Sequence, residues 1–173
     1  MTHINWMHLH LMLIHFPIAG VFFGFLLFSA GLWMKNNEVK KVSLGFFVLI
    51  ALMTIPTYIA GQMAEDSIKP LHLSNVDNKY IDPHCDAATA SLVTIELIGA
   101  ASIVELEFMR RKKRLLPWLF NSLIILSVIA IGFIAWTGNL GGEICHPEVR
   151  PGFKYFVTPD GVPSNPVSSP HNQ

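Results

Sequence analysis

The chain has 173 residues, 51% of them hydrophobic and only 14% charged, with a mean hydropathy of +0.45. That charge content is far below the roughly 25% of a soluble domain, which excludes an ordinary water-soluble fold. Twelve basic residues balance twelve acidic ones, so there is no electrostatic footprint for nucleic acid.

The apolar residues fall in four blocks, at about 11–34, 42–60, 87–109 and 115–137. Each can cross a hydrocarbon core of roughly 30 Å, which takes about 20 helical residues. Backbone groups in lipid need partners within their own segment, and the blocks do not alternate as barrel strands do. The expectation is an all-α fold, a four-helix transmembrane bundle of residues 1–147, followed by an extended tail, 148–173. No repeat is visible beyond the two hairpins.

The first block opens on "HLHLMLIHFPIAG", His8 to Gly20. Met1 to Leu13 has neither a basic start nor a small-residue cleavage site, so no signal peptide is expected. Pro17 removes the amide that would bond Leu13, so the backbone can bend just past His15. Gly20 and Gly24 form a small-xxx-small pair suited to close helix packing. The aromatics Phe16, Phe22, Phe23, Phe25, Phe28 and Trp33 read as lipid and packing surface.

Lys35, Lys40 and Lys41 follow, and the link after the third block is Arg110-Arg111-Lys112-Lys113-Arg114. Both links should face the cytoplasm. The expected localisation is then a bacterial inner membrane, multi-pass, with both termini outside. All eight histidines and both cysteines fall on that outer side. At about 1.5 Å per residue, His10, Glu65 and His84 stand roughly 36–39 Å above the cytoplasmic helix ends. His146 stands somewhat higher, and His15 roughly 7 Å below His10.

In the third block, Asp82-Pro83 reads as a helix start, with His84 in the first turn. A helix N-terminus disfavours imidazolium and so keeps a ring lone pair free. Ala87, Ala88 and Ser91 below it leave room for a flat ligand or a close helix. Glu96 lies inside the hydrocarbon span and is either a proton path or a polar contact within the bundle. Glu105 and Glu107 should face the basic link. In the fourth block, Gly138, Gly141 and Gly142 each cost a helix about 1 kcal/mol, a cost that close approach of a helix or cofactor would justify.

His15, His84 and His146 are the leading ligand candidates, with His10 next and His8 in reserve. His3, His72 and His171 read as surface residues. Glu65 is a candidate to fix an imidazole tautomer. Cys85 and Cys145 read as a disulfide, as two free thiols, or as thiolate ligands; no C-x-x-C-H is present for covalent haem. The tail is rich in proline and serine and is expected to lie along a periplasmic partner.

These motifs resemble a widespread bacterial membrane domain of unknown function, numbered 2231. The matching residues are His10, His15-Phe16-Pro17-Ile18, "GQMAED" at Gly61 to Asp66, His84, and "NLGGEICHP" at Asn139 to Pro147. Leu11 stands where that family usually has proline, and Cys145-His146-Pro147 replaces its usual ending. The resemblance implies redox company, because such domains occur joined to Rieske or c-type cytochrome modules.

The expected function is electron transfer by a b-type cytochrome-like subunit of a respiratory or redox complex. One or two b haems would be held by His10, His15, His84 and His146. Expected partners are lipid, a periplasmic cytochrome-like or Rieske-like protein, other membrane subunits and a quinone. Two alternatives stand beside it: a non-haem iron, copper or zinc site on the same residues, and a structural anchor without a cofactor. No motif indicates reaction chemistry beyond electron transfer.

Overall fold

The computed structural model describes residues 5–69, 78–112, 116–152, 156–157 and 163–164. It contains α1 (Trp6–Leu13), α2 (His15–Trp33), α3 (Asn37–Ile68), α4 (Asn78–Lys112) and α5 (Pro117–Cys145). The first two are halves of one span, so the chain makes four spans of 28, 32, 34 and 29 residues, each apolar enough to cross a membrane. The expected four-helix bundle is the observed fold. Its helices outrun the apolar blocks, because hydropathy marks only the lipid-immersed part of a helix. His3, His72 and His171 lie outside the described residues.

The first span breaks near Pro17, but the turn falls at Ile14, before His15 rather than just past it. The freed Leu13 carbonyl is met from α3, where Thr57 Oγ1 approaches at 3.4 Å. The expected start of the third helix is corrected. It begins at Asn78, with Pro83 inside it. Asp82 is therefore not its cap; it pairs instead with Lys69 at 3.0 Å.

Gly20 and Gly24 bring α2 against α3. A Cβ on Gly20 would collide with Ile50, and one on Gly24 would sit 2.6 Å from Phe47. Phe28 is fully buried, with ring centroids 6.0 Å from Phe47 and 5.3 Å from Phe120. One side chain thus ties α2 to both α3 and α5. The opposite faces expose Phe22, Phe23 and Leu26, as lipid contact requires. Trp33 and Trp118, 89% and 66% exposed, stand at the link end of the bundle, where indoles sit at a membrane interface.

The two links are capped differently. In the first, Lys35 takes φ 51° and the Asn36 side chain accepts from the amides of Glu38 and Val39. In the second, the Leu116 amide donates to Glu105 Oε1 at 2.9 Å. Glu107 faces the basic link as expected, paired with Arg110 and Arg111. Glu105 meets the link only through that cap and is otherwise fully buried.

The tail is not wholly extended. A 3-10 turn, Pro147–Val149, precedes a two-residue antiparallel ladder of β1 (Phe156–Val157) and β2 (Pro163–Ser164). Arg150 turns back and donates to the Glu143 and Ile144 carbonyls at 2.7 and 3.2 Å. These are among the orphan acceptors at the end of α5. Its guanidinium also lies 4.1 Å from the Tyr80 ring centroid on α4. The expected contact with a partner falls largely on residues outside those described.

Candidate functional site

Two of the expected histidines turn into the bundle. His10, on α1, donates from Nδ1 to the Thr57 carbonyl of α3 at 3.1 Å. His84, on α4, does the same to the Thr137 carbonyl of α5 at 3.0 Å. A carbonyl oxygen can only accept, so Nδ1 carries a proton in both rings, and in the neutral ring the lone pair is therefore on Nε2. This backbone contact, rather than a helix N-terminus or Glu65, fixes the tautomer. His10 rests on Gly61, one turn of α3 from Glu65, and Glu65 bonds Cys85 beside His84, so the two rings lie in one layer of the bundle.

Each ring rests against a glycine. A Cβ on Gly61 would lie 2.9 Å from His10 Cε1, and one on Gly141 would lie 3.1 Å from His84 Cε1. The glycine whose helix cost needed a reason thus has one at Gly141, whereas Gly138 and Gly142 face open space. The threonines are locked in turn. Thr57 Oγ1 donates to Met53 O and Thr137 Oγ1 to Phe133 O, both at 2.8 Å. Thr137 Oγ1 also meets Ser91 Oγ at 3.0 Å, so the small residues below His84 serve close packing of α5.

Glu65 stands beside this pair but is engaged elsewhere. One oxygen pairs with Lys69 at 2.5 Å and the other accepts from Cys85 Sγ at 3.0 Å. Glu65 and Asp82 together raise the Lys69 ammonium above its ordinary range. Of the three readings of the cysteines, the structure has free thiols rather than the disulfide: the Cys85 thiol donates a hydrogen bond to Glu65 Oε2, and Cys145 is exposed.

His15 and His146 do not join the pair. His15 is exposed, on the same face as exposed His8. The side chain of His146 is 63% exposed and its Nδ1 meets Glu148 Oε1 at 2.9 Å. The Glu148 carboxyl is held below its ordinary range, first by its own backbone amide and then by His146. Depth along the helix did not separate these residues from His10; azimuth does. His10 belongs to the heptad row 10, 17, 24, 31, whose last three members are buried, whereas His15 belongs to the row 8, 15, 22, all exposed. Thr57 and Thr137 escaped the reading of the sequence, since a backbone acceptor has no residue signature, and Gly61 was met only as the first residue of the GQMAED motif. Glu96 is half-buried, and its Oε1 has no partner among the described residues.

An imidazole held through Nδ1 offers its Nε2 lone pair to a metal when the ring is neutral, and His10 and His84 are both held in that way. Among the described residues, no three His, Cys, Asp or Glu side chains gather around one ion. Two nitrogen donors from separate helices match what a b-type haem iron takes from its protein. Gly61 and Gly141 place no side chain against Cε1 and Nδ1 of the rings.

No curated protein and no solved structure matches the chain. The family described as "Predicted membrane protein (DUF2231)" matches residues 7–147, most of the chain and all four spans, and the protein belongs to that family.

Proposed function

We propose that the protein is a membrane electron-transfer subunit that holds b-type haem through His10 and His84. The observation that supports this reading best is the shared state of the two rings. Each spends Nδ1 on a backbone carbonyl of the adjoining helix and leaves Nε2 without a hydrogen bond among the described residues, in one layer of the bundle. Fixing one ring nitrogen so that the other can ligate is the usual second layer of a metal-bound histidine. A non-haem iron, copper or zinc ion takes three or four protein ligands as a rule. Glu65, a carboxylate of the same layer, already serves Lys69 and Cys85. A purely structural anchor has no use for two pre-set lone pairs in a low-dielectric bundle.

Lys35, Lys41, Arg110 and Arg111 lie at the opposite end from the histidines. By the bias of basic links toward the cytoplasm, the site opens on the outer side of a bacterial inner membrane. Its electrons would pass between a quinone or a neighbouring membrane subunit and a periplasmic cytochrome-like or Rieske-like protein. The test is the absorption spectrum and iron content of protein purified from membranes. A Soret band with stoichiometric iron is expected. Protein without the band and without iron, even after haem is supplied during expression, overturns the proposal.

A further inference from the structure

The two hairpins share a burial pattern, fully in the lower part of their first helices and in part in their second. In the first span the buried residues from Pro17 onward are Pro17, Gly20, Val21, Gly24, Phe28 and Gly31. Adding 74 to each number gives Ser91, Thr94, Ile95, Ile98, Ser102 and Glu105, and every one is buried. The same shift carries His10 onto His84. For the second helix of each hairpin the shift is 80. It carries buried Ser43, Phe47 and Ile50 onto Leu123, Ser127 and Ala130, three of the four buried residues of α5. It also carries the N-cap Asn36 onto the N-cap Leu116.

The chemistry at matched positions has diverged almost completely, and what remains alike is informative. Across 6–34 with 80–108 and 36–66 with 116–146, only five pairs are identical. Two are Leu32 with Leu106 and Val48 with Val128. The other three are His10 with His84, Thr57 with Thr137, and Gly61 with Gly141. These three pairs make the same local structure twice. Each histidine bonds the threonine carbonyl at 3.1 or 3.0 Å, each threonine hydroxyl bonds back at 2.8 Å, and each ring meets the glycine. Elsewhere the halves differ freely: Gly31 O caps the Asn36 amide where Glu105 Oε1 caps that of Leu116.

We infer that the bundle is two copies of one helical hairpin related by an internal two-fold axis along the membrane normal, and that His10 and His84 share a single haem on that axis as equivalent axial ligands. This rests on the haem reading above and goes beyond it in fixing the number of haems at one and the ligand pair as symmetric. Both hairpins begin at the same end of the bundle, so the axis runs along the helices. Points related by a two-fold axis have their midpoint on it, so two such lone pairs are matched to a ligand with two equivalent faces. An iron tetrapyrrole has them.

The test is titration of haem into the full-length protein in detergent, followed by absorption spectroscopy. It compares wild type, His10→Asn, His84→Asn and the double variant. Asparagine can still donate to the threonine carbonyl but offers no Nε2, so the helix contact survives; circular dichroism confirms the fold, and added imidazole should restore the spectrum. One haem per chain is expected in wild type, with an axially six-coordinate spectrum. Each single variant should lose at least tenfold in affinity, to the same degree, with the same change of spectrum. The double variant should not bind. Two haems per wild-type chain, or one variant that keeps the wild-type spectrum while the other loses it, overturns the shared site and leaves haem binding standing. Absence of binding to every form overturns both.

Discussion

Gly61→Ala and Gly141→Ala separate packing from ligation. A Cβ at 61 would stand 2.9 Å from His10 Cε1 and 3.1 Å from Nδ1. Carbon atoms rest at about 3.5–4.0 Å, so the ring must retreat by roughly 0.6 Å or more. The bond from Nδ1 to Thr57 O is already 3.1 Å, and such a retreat takes it toward the limit of hydrogen bonding, a loss of about 1 kcal/mol. Alanine in a helix returns about 1 kcal/mol relative to glycine. The fold should therefore change little in stability. The lone pair, however, moves by about 0.5 Å, the tolerance of a preorganised site. Haem affinity should fall by about tenfold, which is roughly 1.4 kcal/mol. At 141 the Cβ would stand 3.1 Å from His84 Cε1, so the retreat and the loss should be smaller. Haem titration at the Soret band, beside thermal unfolding in the same detergent, measures both quantities. If both variants gain about 1 kcal/mol of stability and bind haem as wild type does, the rings are not seated against these glycines and the reasoning fails.

Glu105→Ala should cost about 1–2 kcal/mol, because it strips the N-terminal amide of α5 of its acceptor. Glu105→Gln keeps an oxygen there and should cost under about 0.5 kcal/mol; equal losses in denaturant titrations would contradict the capping role. His15→Ala and His146→Ala should leave the haem spectrum unchanged, since both side chains are exposed, and loss of the band in either would return that residue to the ligand set. Glu148 is held below its ordinary value of 4.5 by its own amide and by His146. The ionised carboxylate is the bonded form, so this local contact should be intact above that pH and open only as pH falls below it. A carboxyl NMR midpoint at or above 4.5 would count against it.

The membrane fold was legible because lipid tolerates few arrangements of an unpaired backbone, and four apolar blocks leave a four-helix bundle. A bend followed from Pro17, although it falls at Ile14 and not past His15, and the close approach at Gly20 and Gly24 followed from their spacing. Helix ends were less legible. Asp82-Pro83 has the form of a helix start, yet α4 gains another turn from Asn78, where Lys69 reaches across from α3 to Asp82. The site was half legible. His10 and His84 were named, but height along the helix admitted His15 and His146 equally. The heptad rows 10-17-24-31 and 84-91-98-105 distinguish the inward pair, and that signal was present in the sequence. The backbone carbonyls of Thr57 and Thr137 were not, because any residue supplies one. The Cys85–Glu65 contact required knowing that α3 ends beside the start of α4.

Pulsed electron paramagnetic resonance of the oxidised, haem-loaded protein carrying 15N-histidine tests the central claim most directly. Two equivalent imidazole nitrogens coupled to the iron are expected in wild type, falling to one in either His10→Asn or His84→Asn. Coupling that survives unchanged in both variants would place the ligands elsewhere and contradict the assignment.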